Sequence, residues 1–356
     1  MLRRNPAPAQ DHIYSKCPPI NSAVRQLALK TGGFHSHMSE YGVLAERNIE
    51  RVSFGDYDFN TWYGNGAYFS PGSSDLGVDC SISGRRKSAP VRAPQFWLDC
   101  LYVCDFCFKY STDRALMAQH RAICPLNKAY PPLGTLVYAD SKSRRVIKRI
   151  RGFRHELFCQ NLALFGKLFL DDKSVYYNVD AFDFYVVYAP EPSHDAGERA
   201  RLKPMGFFSK EVNAWDEDNN LACICVFPPF QRLRLGSLLV EFLYALARVT
   251  PGQARLGPEF PLSPFGQATY LRFWAKRLAF VIWNDFATAE SVSLRDLADK
   301  TGFRKDDCLL ALEYMGVLFE AEEVILERRA LRSWCDANNV DPTVLATSLD
   351  PAGILF

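Results

Sequence analysis

Four potential metal ligands place the strongest constraint on how this chain can fold. Cys104 and Cys107 are separated by two residues, His120 follows after twelve more, and Cys124 after another three. Zinc prefers four tetrahedral nitrogen and sulfur ligands, and this spacing supplies them from a knuckle turn and from one face of a following helix. The pattern C-x2-C-x12-H-x3-C therefore predicts a zinc-binding module rather than four buried residues with accidental spacing.

The predicted module needs a small apolar core, for which Phe106 and Leu116 are the candidates. Such a module can either read DNA or stabilise a larger fold. A single finger covers only about three base pairs, which favours the structural role.

Composition indicates a folded protein without a strong charge bias. The 356 residues are 48% hydrophobic and 23% charged, with a formal net charge of +2. Such a chain can bury a sizeable core and has room for two or three domains, and its near-neutral charge gives no general attraction to nucleic acid or membranes. We read neither a membrane span nor a secretory signal, so the eleven cysteines are expected to be reduced thiols or metal ligands of an intracellular protein.

Four parts of the chain differ in composition. Residues 1–45 are polar and contain prolines, which predicts a flexible extension. Residues 46–135 have the alternation of paired strands followed by the metal-ligand pattern, with an exposed loop rich in Gly, Ser, Pro and Arg at 71–95. A mixed α/β core is predicted over 136–285 and a helix-turn-helix-like segment over 286–356.

A basic segment, SRRVIKRIRGFRHE, occupies residues 143–156. Its cations alternate with apolar residues, which predicts an exposed hairpin with a basic solvent face. That face could meet phosphate or could simply be solvated, and the pattern leaves both interpretations open.

A strand, a turn and a helix follow one another between residues 221 and 246. The continuously apolar run 221–227 predicts a strand buried on both faces, and a leucine-rich stripe at helical spacing predicts a helix from about Gly236. The first turn of a helix presents unpaired N–H groups at the positive end of its dipole, and Arg232 and Arg234 add charge there. A diphosphate would suit this site, although the residues alone favour an ordinary strand-to-helix turn.

The carboxy-terminal stretch SLRDLADKTGFRKDDCLLALEYMGVLFE predicts a helix, a turn at Gly302, a second helix and a strand after Gly316. This outline could bind DNA or could buttress a core. Asp306, Asp307 and Glu313 disfavour a helix that faces phosphates.

Six stretches resemble, in the same order, the motifs of the MYST family of histone acetyltransferases, and the resemblance covers about residues 46–320. They are ERNIERVSFGDYDFNTWY, LYVCDFCFKY, FCQNLALFGKLFLDDKSVYYNV, GFFSKE, LACICVFPPFQRLRLGSLLVEF and PEFPLSPFG. The sequence contains no visible chromodomain, bromodomain or second finger cluster. It therefore looks like the short, silencing-associated fungal branch of the family.

The resemblance implies a fold and a function. The expected fold is a GNAT-like mixed-sheet core with an amino-terminal C2HC zinc finger and a winged-helix-like carboxy-terminal buttress. The expected function is the transfer of acetyl from acetyl-CoA to lysines of histone tails, most of all histone H4, with a structural zinc. Such a protein would act in the nucleus on nucleosomes, together with accessory subunits and without sequence-specific DNA binding of its own.

The resemblance also assigns roles to single residues. Glu259 would be the general base that deprotonates the lysine amine, and Cys223 matches the active-site cysteine, which could carry acetyl or only pack. Lys173 matches the lysine that the family acetylates on itself. The cofactor would contact the backbone of two strand residues, the diphosphate turn and one later serine: Ile224, Val226, Gln231, Arg232, Leu233, Arg234, Leu235, Gly236, Ser237 and Ser263.

Some positions depart from the family pattern. Arg234 replaces the first glycine of the turn, Ser237 replaces a basic residue, and Asp172 replaces a histidine. These changes leave two alternatives to an active enzyme. One is a catalytically degenerate scaffold of a chromatin complex, and the other is a DNA-binding protein with a zinc finger and a helix-turn-helix.

Overall fold

The computed structural model describes residues 43–44, 46–69, 76, 96–170, 178–190, 201–212, 219–249, 255–289, 291–319, 325–345 and 347–355. All of them belong to one compact unit, Tyr41–Phe356. Nearly all of the predicted extension 1–45 and of the predicted loop 71–95 lies outside the described residues. Within the described part of the chain, no helix has the length and apolar character needed to cross a membrane.

The amino-terminal strands form a small sheet, as the alternation predicts. Its strands run in the order β3-β2-β5-β6, and β1 pairs with β4 beside it. The bounds are Val43–Leu44 for β1, Ile49–Phe54 for β2, Tyr57–Asn60 for β3, Gly64–Asn65 for β4, Leu98–Val103 for β5 and Tyr110–Ser111 for β6. Helix α1, Arg114–Ile123, follows, and the Asp113 side chain caps its amino-terminal end.

A five-stranded antiparallel sheet forms the centre of the fold, in the order β12-β10-β9-β8-β7. Its strands are β7 (Thr135–Ala139), β8 (Val146–Arg151), β9 (Phe182–Pro190), β10 (Leu202–Glu211) and β12 (Cys223–Val226), with helix α2 (Glu156–Lys167) between β8 and β9. Phe165 of α2 stacks on Phe54 of β2 at 4.8 Å and meets Phe227 edge-on at 4.9 Å. These aromatic contacts join the two sheets in one core.

The basic segment is not the exposed hairpin that its sequence predicts. Strand β8 is paired on both sides, with β7 and with β9. Lys148 is only 5% exposed and donates a hydrogen bond to the Pro131 carbonyl oxygen at 2.7 Å. Burial lowers the pKa of this lysine. The alternation of cations and apolar residues predicts a strand, but it does not reveal that the strand lies inside a sheet.

The apolar run 221–227 also differs from its prediction. It divides into β11 (Asn219–Leu221), which pairs in parallel with β13 (Gly257–Pro258), and into β12. Strand β12 is at the end of the central sheet, and Ile224 and Val226 are half-buried. It is therefore an edge strand and is not buried on both faces.

Two long helices follow this edge. Helix α3, Leu235–Val249, buries the predicted leucine stripe, and α4 spans Pro264–Asn284. They pack together through aromatic residues, and Trp274 Nε1 donates to the Tyr244 hydroxyl at 2.8 Å.

The predicted helix-turn-helix outline is confirmed. Its elements are α5 (Leu294–Thr301), α6 (Lys305–Met315), β14 (Leu318–Phe319), β15 (Ile325–Leu326) and α7 (Arg328–Ala337). A capping box at Ser293 starts α5, and Gly302, with φ of 79°, ends it in the left-handed region that favours glycine. Helix α6 packs on α4, so this segment is part of the core and not a separate appendage.

Candidate active site and metal centre

The four predicted metal ligands converge. The ligand atoms of Cys104, Cys107, His120 and Cys124 all lie within 4.8 Å of one another, and Cys107 Sγ is 3.1 Å from His120 Nε2. Sulfur ligands of a tetrahedral zinc ion lie roughly 3.8 Å apart, as follows from a Zn–S bond of about 2.3 Å. A Cys3His donor set of this size therefore fits zinc.

The small apolar core beside the four predicted ligands differs from its prediction at one residue. Phe106 is buried as predicted, but Leu116 is 59% exposed and the neighbouring Met117, at 5%, packs against the cluster. Met117 lies three residues before His120, on the helix face that carries the ligand. The helix also ends one residue before Cys124, which caps it.

A buried carboxylate between the ligands ties the module to the central sheet. Asp105 accepts hydrogen bonds from Arg121 Nε at 2.7 Å and Nη2 at 3.0 Å, and Lys203 of β10 approaches it at 2.8 Å. Burial alone would raise the pKa of the Asp105 carboxyl, but the hydrogen bonds from both cations hold it below its ordinary value. The metal module is thus fixed to β10 by a paired, buried charge.

The 231–237 turn links the edge strand β12 to helix α3. Arg232 and Arg234 both have left-handed backbone, with φ of 65° and 60°, and both side chains are exposed. This conformation costs a residue with a side chain roughly 1–2 kcal/mol. The first turn of α3 then presents backbone N–H groups that have no partner within the helix.

Two side chains hold this turn. Gln231 Nε2 donates to the Val226 carbonyl oxygen at 3.2 Å, and Arg145 Nη2 donates to the Leu233 carbonyl oxygen at 3.1 Å. Arg145 belongs to the basic segment 143–156, and nothing in the sequence indicates that it lies beside the turn.

Gly236 faces the edge strand without a close neighbour. A Cβ on this glycine would meet only Val226 Cγ2, at 3.8 Å, which is ordinary contact. The protein alone therefore does not require glycine here. A ligand that approaches the helix end along β12 would use the open space.

Glu259 follows β13 and lies beside the start of the edge strand. Its backbone N–H donates to the Leu221 carbonyl oxygen at 3.2 Å, two residues before Cys223. The Glu259 side chain is exposed and the adjacent Phe260 is 48% exposed, so the site is more open than the flanking prolines suggest. The backbone of the predicted base thus pairs with the end of β11, and the predicted active-site cysteine begins the next strand, β12.

Ser263 caps helix α4. Its hydroxyl accepts a hydrogen bond from the Gly266 N–H at 3.2 Å, and Pro264 is the first helical residue, as predicted.

Comparison with known proteins shows the family. A model described as the MOZ/SAS family matches residues 131–348, more than half of the chain. The chain belongs to the MOZ/SAS family. It is 42% identical over 296 residues to histone acetyltransferase SAS2 of Saccharomyces cerevisiae, covering 83% of this chain and 81% of that protein.

Other relatives are longer than this chain. Identity is 30% over 279 residues with the histone acetyltransferase Tip60 homolog of Caenorhabditis elegans, covering 78% of this chain and 52% of that protein. Identity is 33% over 271 residues with histone acetyltransferase MOF of Drosophila melanogaster, covering 76% of this chain and 28% of that protein. The predicted resemblance to the MYST acetyltransferases is therefore confirmed.

Two further residues of this chain, Cys223 and Lys173, were predicted to have a function. Cys223 is buried in β12 and lies on the same strand face as the buried Cys225, whose thiol pKa is raised by burial. Lys173 lies outside the described residues, so its predicted modification remains a prediction.

Proposed function

We propose that this chain is a lysine acetyltransferase that transfers acetyl from acetyl-CoA to histone tails, with histone H4 as its preferred substrate. Relatives named histone acetyltransferases support the activity. The observation that carries the assignment of the site is the hydrogen bond from the Glu259 N–H to the Leu221 carbonyl oxygen, at 3.2 Å. It joins the proposed base to the end of β11, two residues before the edge strand begins at Cys223.

The chemistry needs a base at this position. A lysine amine has a pKa of about 10.4, so at neutral pH it must lose a proton before it can attack a thioester carbonyl. In the proposal the Glu259 carboxylate accepts that proton. The neutral amine then forms the amide bond while the carbon–sulfur bond of acetyl-CoA breaks. The nitrogen loses its second proton, and the CoA thiolate takes up a proton and leaves as the thiol.

The proposed cofactor site runs along β12 into α3. An edge strand presents backbone groups that can pair with an extended ligand, so the backbone of Ile224 and Val226 would meet the acetyl and pantetheine part. The 231–237 turn and the helix end would take the diphosphate. Ser263 would contact the cofactor beyond the 231–237 turn.

Burial favours a packing role for Cys223. A thiolate nucleophile is stabilised by partial exposure and a positive environment, whereas Cys223 is 4% exposed in an apolar strand. The proposed mechanism is therefore direct transfer of acetyl from acetyl-CoA to the amine, without an acetylated Cys223.

The remaining parts would support this core. The proposal includes a structural zinc in the module around Cys104, a GNAT-like central sheet, and a winged-helix-like buttress in the segment 286–356. It also includes autoacetylation at Lys173, a nuclear location and accessory subunits that help to engage nucleosomes.

A catalytically inactive scaffold of a chromatin complex is the second candidate. Arg234 favours it, because a side chain with left-handed backbone stands where the family has glycine. The two candidates differ in whether acetyl is transferred at all.

The test is a radiolabelled acetyl-CoA assay on nucleosomes, with the full chain alone and with its co-purified partners. The parent should transfer acetyl to histone, and Glu259→Gln should lower turnover by roughly 100-fold or more, the usual contribution of a general base. Raising the pH should restore part of the rate of the variant because more amine is then neutral. Glu313→Gln, which removes an exposed carboxylate on α6, is the matched control.

Each outcome decides between the candidates. A parent that transfers no acetyl in either preparation would favour the scaffold. An active parent with a fully active Glu259→Gln variant would remove Glu259 from the mechanism and leave the acetyltransferase assignment in place.

A further inference from the structure

One ion pair of the carboxy-terminal segment reaches the chain beside Glu259. Arg304, at the start of α6, donates to both carboxylate oxygens of Asp307, from Nε to Oδ2 at 2.9 Å and from Nη2 to Oδ1 at 3.0 Å. Asp307 is 0% exposed. Two parallel bonds to a buried carboxylate fix the plane of the guanidinium more strictly than a single contact would.

The same guanidinium also holds the segment that carries Glu259. Arg304 Nη2 donates to the Pro258 carbonyl oxygen at 2.8 Å, and its guanidinium carbon lies 5.2 Å from the centre of the Phe260 ring. Pro258 and Phe260 are the two neighbours of Glu259 in the chain. The contacts therefore lie on both sides of the proposed base.

Gly257 makes this close approach possible. A Cβ at this position would lie 2.2 Å from both Arg304 Nε and Asp307 Oδ2, closer than real contacts allow. The Leu256 N–H also donates to the Gly302 carbonyl oxygen at 3.2 Å, in the turn between α5 and α6. The segment from Leu256 to Phe260 is thus built against the helix-turn-helix turn.

We infer that Arg304 is a positioning residue for Glu259, and that Asp307 is the fixed anchor of its guanidinium. The inference rests on the proposed function, because it assumes that Glu259 is the base. Leu221 holds the Glu259 N–H from one side, and Arg304 holds the preceding carbonyl from the other. An exposed base on a short segment needs such support, because catalytic groups must be held within about 0.5 Å of the productive geometry.

This role differs from that of a general buttress. A buttress would stabilise the whole core, and its loss would lower stability and activity together. The bond to the Pro258 carbonyl predicts instead a change in turnover that acts through Glu259, with little change in the binding of acetyl-CoA.

The test replaces Arg304 and Asp307 together. A single Arg304 substitution would leave Asp307 buried without its partner, and burial already raises the pKa of that carboxyl. The double variant Arg304→Met, Asp307→Leu removes both charges and keeps an apolar volume. In the full chain with its partners, on nucleosomes, kcat should fall by between about 10-fold and 100-fold, and KM for acetyl-CoA should stay within about twofold.

A control variant removes a different contact between the segment 255–260 and the helix-turn-helix segment. Arg255 pairs with the exposed Asp299 of α5 at the other end of the 255–260 segment, away from the Pro258 carbonyl. Arg255→Met should leave kcat within about twofold, because an exposed pair contributes little. Arg304→Lys should also lower kcat, because one ammonium cannot reproduce the fork that reaches both Asp307 and Pro258. Its loss should be smaller than that of the double variant, because lysine keeps a positive charge beside Asp307. If the double variant does not fold, the kcat of Arg304→Lys still shows whether Arg304 acts on turnover.

A double-mutant cycle with Glu259→Gln tells positioning apart from a structural effect. If Arg304 acts through Glu259, its replacement should change kcat by less than about twofold once Glu259 is already glutamine. Hydrogen exchange at the Glu259 amide should also become faster in the Arg304 variants and stay unchanged in Arg255→Met.

Three results would overturn the inference. They are an unchanged kcat in the Arg304 variants, an equal loss of kcat with and without Glu259, or an unchanged exchange rate at the Glu259 amide. If Glu259→Gln itself is fully active, the proposed base fails by that result, and the exchange rate alone then decides whether Arg304 holds the segment.

Discussion

Arg234→Gly is the most informative single change, because it acts on stability through the backbone and on acetyl-CoA binding through the lost charge. Arg234 has φ of 60°. The left-handed backbone costs roughly 1–2 kcal/mol there, and glycine avoids this cost but loses about 0.5–1 kcal/mol through its greater freedom in the unfolded chain. Arg234→Gly should therefore raise the free energy of unfolding by up to about 1.5 kcal/mol, with a central value of about 0.75 kcal/mol, the difference between these two costs.

The effect on acetyl-CoA binding comes from charge. A charge-assisted hydrogen bond contributes about 1.5–3 kcal/mol where water is excluded, but an exposed pair typically contributes only about 0.2–1 kcal/mol. Because the Arg234 side chain is exposed, we expect the weaker range. Arg234→Gly should lower affinity by less than tenfold at low salt and flatten the dependence of affinity on salt, since ions screen exposed charges.

Calorimetric titration of acetyl-CoA across a salt series measures this effect, and thermal unfolding measures the stability. Arg234→Gln is the matched control, because it removes the charge but keeps a side chain on the left-handed backbone. It should lose affinity and salt dependence as Arg234→Gly does, without the gain in stability. If the parent does not bind acetyl-CoA and Arg234→Gly restores binding, the reasoning is wrong and the scaffold is the better interpretation.

Three further predictions concern the metal, the turn and the edge strand. The double variant Cys104→Ser, Cys107→Ser should contain well under one zinc per chain by metal analysis and melt at a lower temperature, and an unchanged melting curve would count against a structural zinc. Arg145→Met removes a donor that holds the turn, so acetyl-CoA affinity should fall by about two- to fivefold in calorimetry; equal affinity would mean that this donor is unimportant. Gly206→Ala should lower the free energy of unfolding by about 1–3 kcal/mol in a urea titration. The new Cβ would lie 2.6 Å from the Cys225 carbonyl oxygen on β12, and a variant as stable as the parent would mean that β12 moves without cost.

Features set by local spacing could be predicted from the sequence. The four predicted metal ligands converge because two of them share a knuckle and the others are four residues apart at the end of a helix. The stripe of α3 and the turn at Gly302 followed from helical periodicity and from the conformational freedom of glycine. The resemblance to the acetyltransferases also came from the sequence, through the order of its motifs.

Periodicity, however, shows which residues share a face and not which face or edge is covered. The alternation of β8 is compatible with an exposed hairpin, and only its pairing with two neighbours buries Lys148. In the same way, Leu116 and Met117 are both apolar residues of α1, and the packing of the helix on the metal cluster selects Met117.

The contacts that shape the candidate active site depended most on the tertiary structure. Arg145 and Leu233 are 88 residues apart in the chain, and Arg304 and Pro258 are 46 apart. In each pair an arginine side chain donates to a backbone carbonyl, and because every residue has a carbonyl, the sequence carries no sign of which one will be used. The sequence by itself determined the candidate metal ligands, the helices and the family, whereas the folded chain alone decided which arginines reach the turn and the segment of Glu259.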